Sequence, residues 1–160
     1  MEHALEAAPF GRQLKIYGRR AALTIEATAT RTDAYPTLSI EAAEKTGERK
    51  AFDWSRKITV QLTRQELPPF VAALLGLSGA FEAKYHGPGR NKGIVLERQA
   101  ANLYLKVSEA GRVIGVPIGY ADGVHLTAFA LERLKACHPS LDSQSLLTIL
   151  KHTRGLAQGT

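Results

Sequence analysis

The run FDWSRKITVQLT, residues Phe52 to Thr63, decides the fold. In its second half Ile58, Val60 and Leu62 alternate with Lys57, Thr59 and Gln61, the period-two pattern of a strand with one buried and one wet face. Immediately after it, Thr63 to Glu66 matches a Thr-x-x-Glu capping box, which starts a helix by satisfying its free N–H groups. Phe70, Val71, Leu74 and Leu75 follow at helical spacing, Pro68 and Pro69 suit only a first turn, and Gly76 to Gly79 close the helix. Upstream, QLKIYG (13–18), AALTIEAT (21–28) and PTLSIEAA (36–43) read as strands, with RKITVQLT (56–63) as the fourth. Downstream the plan repeats with GAFEAKYH (79–86), KGIVLERQ (92–99), ANLYLKVS (101–108) and RVIGVPI (112–118). A helix capped by Asp122 then carries Leu126, Phe129, Ala130 and Leu134; Pro139 breaks it, and a further apolar helix holds Leu141, Leu146, Leu147, Ile149 and Leu150.

This pattern predicts an α+β fold of two four-stranded antiparallel β-sheets in ββββα–ββββα order. The C-terminal helices are too apolar for a monomer surface, so they are expected to pack for oligomerisation. Residues 1–10 read as a flexible N-terminal arm, 11–151 as a single domain and 152–160 as a C-terminal tail.

Composition narrows the function. The chain has 160 residues, 44% hydrophobic and 22% charged, as in ordinary globular proteins. No apolar run reaches the roughly 18 residues needed to cross a bilayer, and MEHALEAAPF resembles neither a secretory signal nor an Arg-rich transit peptide. The single cysteine, Cys137, excludes an internal disulfide framework and fits a reducing compartment, so a cytoplasmic location is expected. The net charge of +6 points to a polyanionic partner. Lys84, Arg90, Lys92, Arg98 and Lys106 face one acid, Glu97, across residues 84–106, which concentrates the basic character on the second set of strands. The five histidines are scattered, with no zinc-binding spacing, Cys137 reads as packing, and no carboxylates pair as acid and base. A non-enzymatic protein without cofactor or metal is expected.

The segment FDWSRKITVQLTRQELPPFVAALLG resembles the signature strand and helix of the Whirly family of single-stranded DNA-binding proteins, with Phe52 in place of a tyrosine and Asp53, Trp54, Ser55, Arg56 and Lys57 matching. IYGRRAALT (16–24) is similar to the family's KGKAALS element, with Gly18, Arg19 and Arg20 standing for Lys-Gly-Lys and Thr24 for serine. VPI at 116–118, followed by an apolar helix, is a weaker third match. The matches are in order, span roughly residues 13–138 and suggest a bacterial-type member. The resemblance implies two four-stranded sheets with helices between and after them, a fold shared with the transcriptional positive cofactor four. It also implies a homotetramer held by its helices and binding of single-stranded DNA with little sequence preference, in repair, recombination, replication or transcription. Related folds in kinetoplastid mitochondria bind guide RNA.

Single strands are held by basic grooves and by apolar faces on which bases stack. The expected stacking residues are Tyr17, Phe52, Trp54, Tyr85 and Tyr104; the expected phosphate contacts are Arg19, Arg20, Lys57, Lys84, Arg90, Lys92 and Lys106. Tyr104 and Lys106 are the cleanest pair, opposite Leu103, Leu105 and Val107 on one strand, although an ordinary solvated cross-strand pair has the same pattern. Trp54 reads either as a core anchor or as a base platform. Arg56 is either an ion-pair partner of Asp53 or a free cation. HGPGRNKG (86–93) lacks a phosphate-loop order and is either a backbone clamp or a flexible tip. RNA binding or strand annealing is the alternative within nucleic-acid binding. An oligomeric protein-binding scaffold is the alternative outside it, kept open by Glu26, Glu41, Glu82 and Glu97.

Overall fold

The computed structural model describes residues 11–47 and 51–156; the expected N-terminal arm and the last four residues of the tail lie outside them. The first sheet has the order β1 (Gln13–Tyr17), β2 (Ala21–Ala29), β3 (Pro36–Glu44), β4 (Ile58–Gln61). Helix α1 (Leu67–Leu74) leads to the second sheet, β5 (Ala80–His86), β6 (Lys92–Arg98), β7 (Leu103–Glu109), β8 (Arg112–Ile118). Helices α2 (Tyr120–Cys137) and α3 (Ser143–Thr153) follow. All six strand pairings are antiparallel, as alternating sequences joined by short turns require. The α+β plan read from periodicity is the observed one, including the further helix after Pro139.

Register determines which residues share a face. Ile16, Leu23, Ile40 or Ala42, and Ile58 or Val60 line the inner side of the first sheet. Ile94, Leu96, Leu105, Val107, Ile114 and Val116 line that of the second. The inner faces pack on each other, β4 against β6 and β7, β2 and β3 against β8, into one apolar core. Arg112 reaches Glu44 at 3.3 Å across this junction.

Several boundaries differ from the sequence reading. The fourth strand begins at Ile58 rather than Arg56, because Asp53 Oδ1 accepts the Ser55 N–H at 3.1 Å and caps a 3-10 turn over Trp54–Arg56. Asp53 is thereby spent on the turn. Arg56 is exposed, with no carboxylate in ion-pair reach among the described residues. The second long helix begins at Tyr120 with Gly119 as its N-cap, which puts Asp122 inside the first turn, where its charge favours the positive helix end. Asp142 caps α3 by accepting from the Ser145 N–H at 2.7 Å, and this helix runs on through His152 and Thr153.

The capping box forms, although the regular helix starts only at Leu67. The Thr63 N–H donates to Glu66 Oε1 at 3.0 Å, and the Glu66 N–H donates to Thr63 Oγ1 at 3.2 Å. The same carboxylate meets His86 Nε2 at 2.9 Å and so ties the start of α1 to the end of β5. Burial pushes the Glu66 carboxyl up, but the His86 contact and the Thr63 bonds outweigh it and hold the group below its ordinary value. The unfolded chain therefore takes up this proton at a higher pH than the folded chain. Stability from the group is full above the ordinary carboxylate value and is lost as pH falls through the folded one. Glu66→Gln is expected to narrow the gap in Tm between neutral and acid pH, read by circular dichroism melts. An unchanged gap would show that the pair contributes nothing to acid sensitivity.

Candidate nucleic-acid interface

The outer face of the first sheet is built to be flat at one end. Ala22 and Ala43 are opposite each other across β2 and β3, and Thr24 lies beside them. All three point away from the core, yet each is at most 1% exposed. Large side chains from neighbouring segments cover them. Tyr17 is opposite Ala22, and its ring lies 5.8 Å from that of Phe52, which bridges to Lys45 just beyond β3. Lys15 Nζ donates to Thr24 Oγ1 at 3.0 Å and sits 4.9 Å from the centre of the Trp54 ring. Lys45 Nζ stands 5.2 Å from the Phe52 ring. The small residues beneath let these rings lie close to the sheet while leaving apolar surface outward; Tyr17 is 61% exposed.

Trp54 is thus resolved in position. It is half-buried on the outer sheet face and takes no part in the apolar core. Sequence reading brought Tyr17, Phe52 and Trp54 forward but missed Lys15 and Lys45. The signal for Lys15 was available, since it shares the alternation of Tyr17 on β1. Lys45 joins the cluster only through the bridge to Phe52, which no local pattern shows. Arg19 and Arg20 are exposed in the β1–β2 turn next to this cluster. Gly18 makes that turn fit: a Cβ there would stand 2.9 Å from the Ala21 carbonyl oxygen and 3.4 Å from Val116 on β8.

The second sheet differs from expectation. Tyr104 does face outward, and its ring lies flat across Gly115 on β8, where an added Cβ would stand 2.1 Å from the hydroxyl oxygen. Lys106 shares this face but stands 3.6 Å from Glu97, and Lys84 stands 3.8 Å from Glu82. Lys92 is a correction: a bulge between Ala83 and His86 turns the end of the hairpin, and the Lys92 ammonium donates inward to the Thr59 carbonyl at 3.1 Å. Arg98 also points inward and donates to the Leu74 carbonyl at 3.0 Å, capping the C-terminus of α1. Only Arg90, of the five cations in this basic segment, has neither a carboxylate nor a carbonyl partner among the described residues. Arg90 lies 5.9 Å from the ring of Tyr85, which is 68% exposed on the bulge at a positive φ of 64°. In the first sheet, Lys57 is outward as expected and is held by Glu41 at 2.9 Å.

Among the described residues no cluster of His, Cys, Asp or Glu could hold a metal ion, and no helix is long and apolar enough to cross a membrane.

The two packed four-stranded sheets, each followed by helices, define a Whirly-like α+β fold. Among solved structures the chain is similar to WHY1 from Arabidopsis thaliana, with 19% identity, 94% of this chain and 97% of that chain covered, and a TM-score of 0.59. It is also similar to MRP1/MRP2 of Trypanosoma brucei, with 14% identity, 84% of this chain and 90% of that chain covered, and a TM-score of 0.56. At these identities the likeness is one of fold. No family model and no curated protein matches the sequence.

Proposed function

We propose that this protein binds single-stranded DNA with little sequence preference, by base stacking and phosphate contacts on the outer faces of its sheets. The observation that carries the reading is the cluster of Tyr17, Phe52 and Trp54 over Ala22, Thr24 and Ala43, with Lys15 and Lys45 against the rings. Flat aromatic surface beside cations accepts any base and its phosphate, because every base has a π-face. The Whirly-like fold and the resemblance of FDWSRK to that family's signature support the same reading. On the other sheet Tyr85 with Arg90 at the β5–β6 hairpin, and Tyr104 toward the opposite end, are further candidate contacts. A non-catalytic role in repair, recombination, replication or transcription in the cytoplasm, associated with the nucleoid, follows from this proposal. So does assembly as a homotetramer through α2 and α3, which leave Tyr120, Val124 and Ile149 exposed.

The test is a titration of fluorescent oligo-dT, same-length RNA and duplex DNA at two salt concentrations. Tight, salt-weakened binding of oligo-dT, much stronger than duplex binding, is expected. RNA bound more tightly than DNA would move the proposal to RNA, and binding of none would leave a protein-binding scaffold. A solution mass of four subunits checks the assembly independently.

A further inference from the structure

The distribution of cations extends this surface beyond the aromatic cluster. At the opposite end of the first sheet, the β2–β3 hairpin and the β4–α1 connection enclose a cavity of about 380 Å³, lined among others by Thr30, Arg31, Asp33, Gln61, Thr63 and Arg64. The Arg64 guanidinium lies 4.0 Å from the centre of the Tyr35 ring, a stacked arrangement that holds it in place before any ligand arrives. Arg31 and Arg64 are exposed, and neither has a carboxylate in ion-pair reach among the described residues. Asp33, the carboxylate lining the cavity, accepts a hydrogen bond from the Thr30 hydroxyl. Two guanidiniums against one carboxylate leave the cavity basic.

Gln61 places this cavity on the outer side, because it is opposite Ser39 on the face that carries Thr59 and Glu41. The surface between the two ends along β3 and β4 is polar and largely neutral. Lys57 holds Glu41, Thr28 and Ser39 share a hydrogen bond at 3.0 Å, and the Gln61 amide donates to Thr28 at 3.2 Å. Glu26, which has no cation in ion-pair reach among the described residues, is opposite Ser39 on β2 and leaves one carboxylate at the flank of this path.

We propose that Arg31, Arg64 and Tyr35 form a second anchor for the phosphate backbone of a single strand. The strand then runs along β3 and β4, from the Trp54 cluster to this cavity. The inference rests on the single-strand binding proposed above and adds the place where the strand ends. At about 3.3 Å per residue, β3 from Pro36 to Glu44, whose ends adjoin Tyr35 and Lys45, spans roughly 26 Å, so a strand must be several nucleotides long to reach both ends.

The experiment compares wild type, R31A/R64A and R31K/R64K on oligo-dT of about 4 and about 16 nucleotides, the range of known single-strand sites, each across a salt series. Wild type is expected to bind the long strand more tightly and with a steeper salt slope. R31A/R64A should lose that advantage and reduce the long-strand slope by about 1.4, from two phosphate contacts at about 0.7 each, while binding the short strand as wild type does. R31K/R64K keeps the charge and should keep the slope. Melts by circular dichroism establish that all three are folded. Unchanged long-strand affinity and slope in R31A/R64A, or equal losses on both lengths, would overturn the anchor and leave single-strand binding standing. Absence of binding by the wild type would overturn both.

Discussion

Replacing Trp54 by alanine is expected to weaken oligo-dT binding by about 1–3 kcal/mol, the usual effect of removing one stacking platform, or roughly 5- to 150-fold in Kd. The ring lies on the outer face of the first sheet under Lys15 and outside the apolar core, so its removal costs the fold little. The 3-10 turn that carries it is held by Asp53 and does not depend on the indole. Trp54 is also the only tryptophan, so its fluorescence reports contact with bases in the unaltered protein. Quenching on titration with oligo-dT, together with the loss of affinity in Trp54→Ala, is the expected pair of results. Full affinity in the variant and no quenching in the wild type would remove Trp54 from the interface and shift the binding surface to Tyr104 on the second sheet.

The largest effect on stability is expected from Phe70→Ala, at about 3–5 kcal/mol for a large aromatic removed from a sealed site. Phe70 is 0% exposed, and its ring meets that of Phe81 edge-on at 5.4 Å, which pins α1 to β5. Since α1 also packs on β6 and α2, the cavity would lie where the connection between the two sheets meets the C-terminal helices. A domain of this kind has about 5–15 kcal/mol in total, so the variant should sit near the edge of folding. Urea titration with an unchanged m-value is the measurement. A loss below about 1 kcal/mol would mean that the neighbours collapse into the space.

Strand parity was legible in the sequence wherever alternation was clean. Ile58 and Val60 inward with Lys57 outward, and Leu103, Leu105 and Val107 inward with Tyr104 and Lys106 outward, all follow from side chains alternating along an extended backbone. The capping box at Thr63 and Glu66 was legible for a similar reason, since its bonds span only three residues. By itself, then, the sequence determined the two sheets, their order and, where alternation is unbroken, which residues face out. Tertiary structure decided which outward residues meet one another. Charge density along the chain pointed to residues 84–106, but folding gives Lys92 and Arg98 to backbone carbonyls and sets Glu82 and Glu97 beside Lys84 and Lys106. Four cations without acidic partners among the described residues stand instead at the two ends of the first sheet, from segments far apart in sequence: Lys15 and Lys45 against the FDW rings, Arg64 against Tyr35 with Arg31 lining the same cavity as Arg64. Alternation settles a face within one strand because it is local. Partners across strands depend on register, on a bulge such as the one at Tyr85, and on how two sheets stack, and these are set by the packing of the whole core.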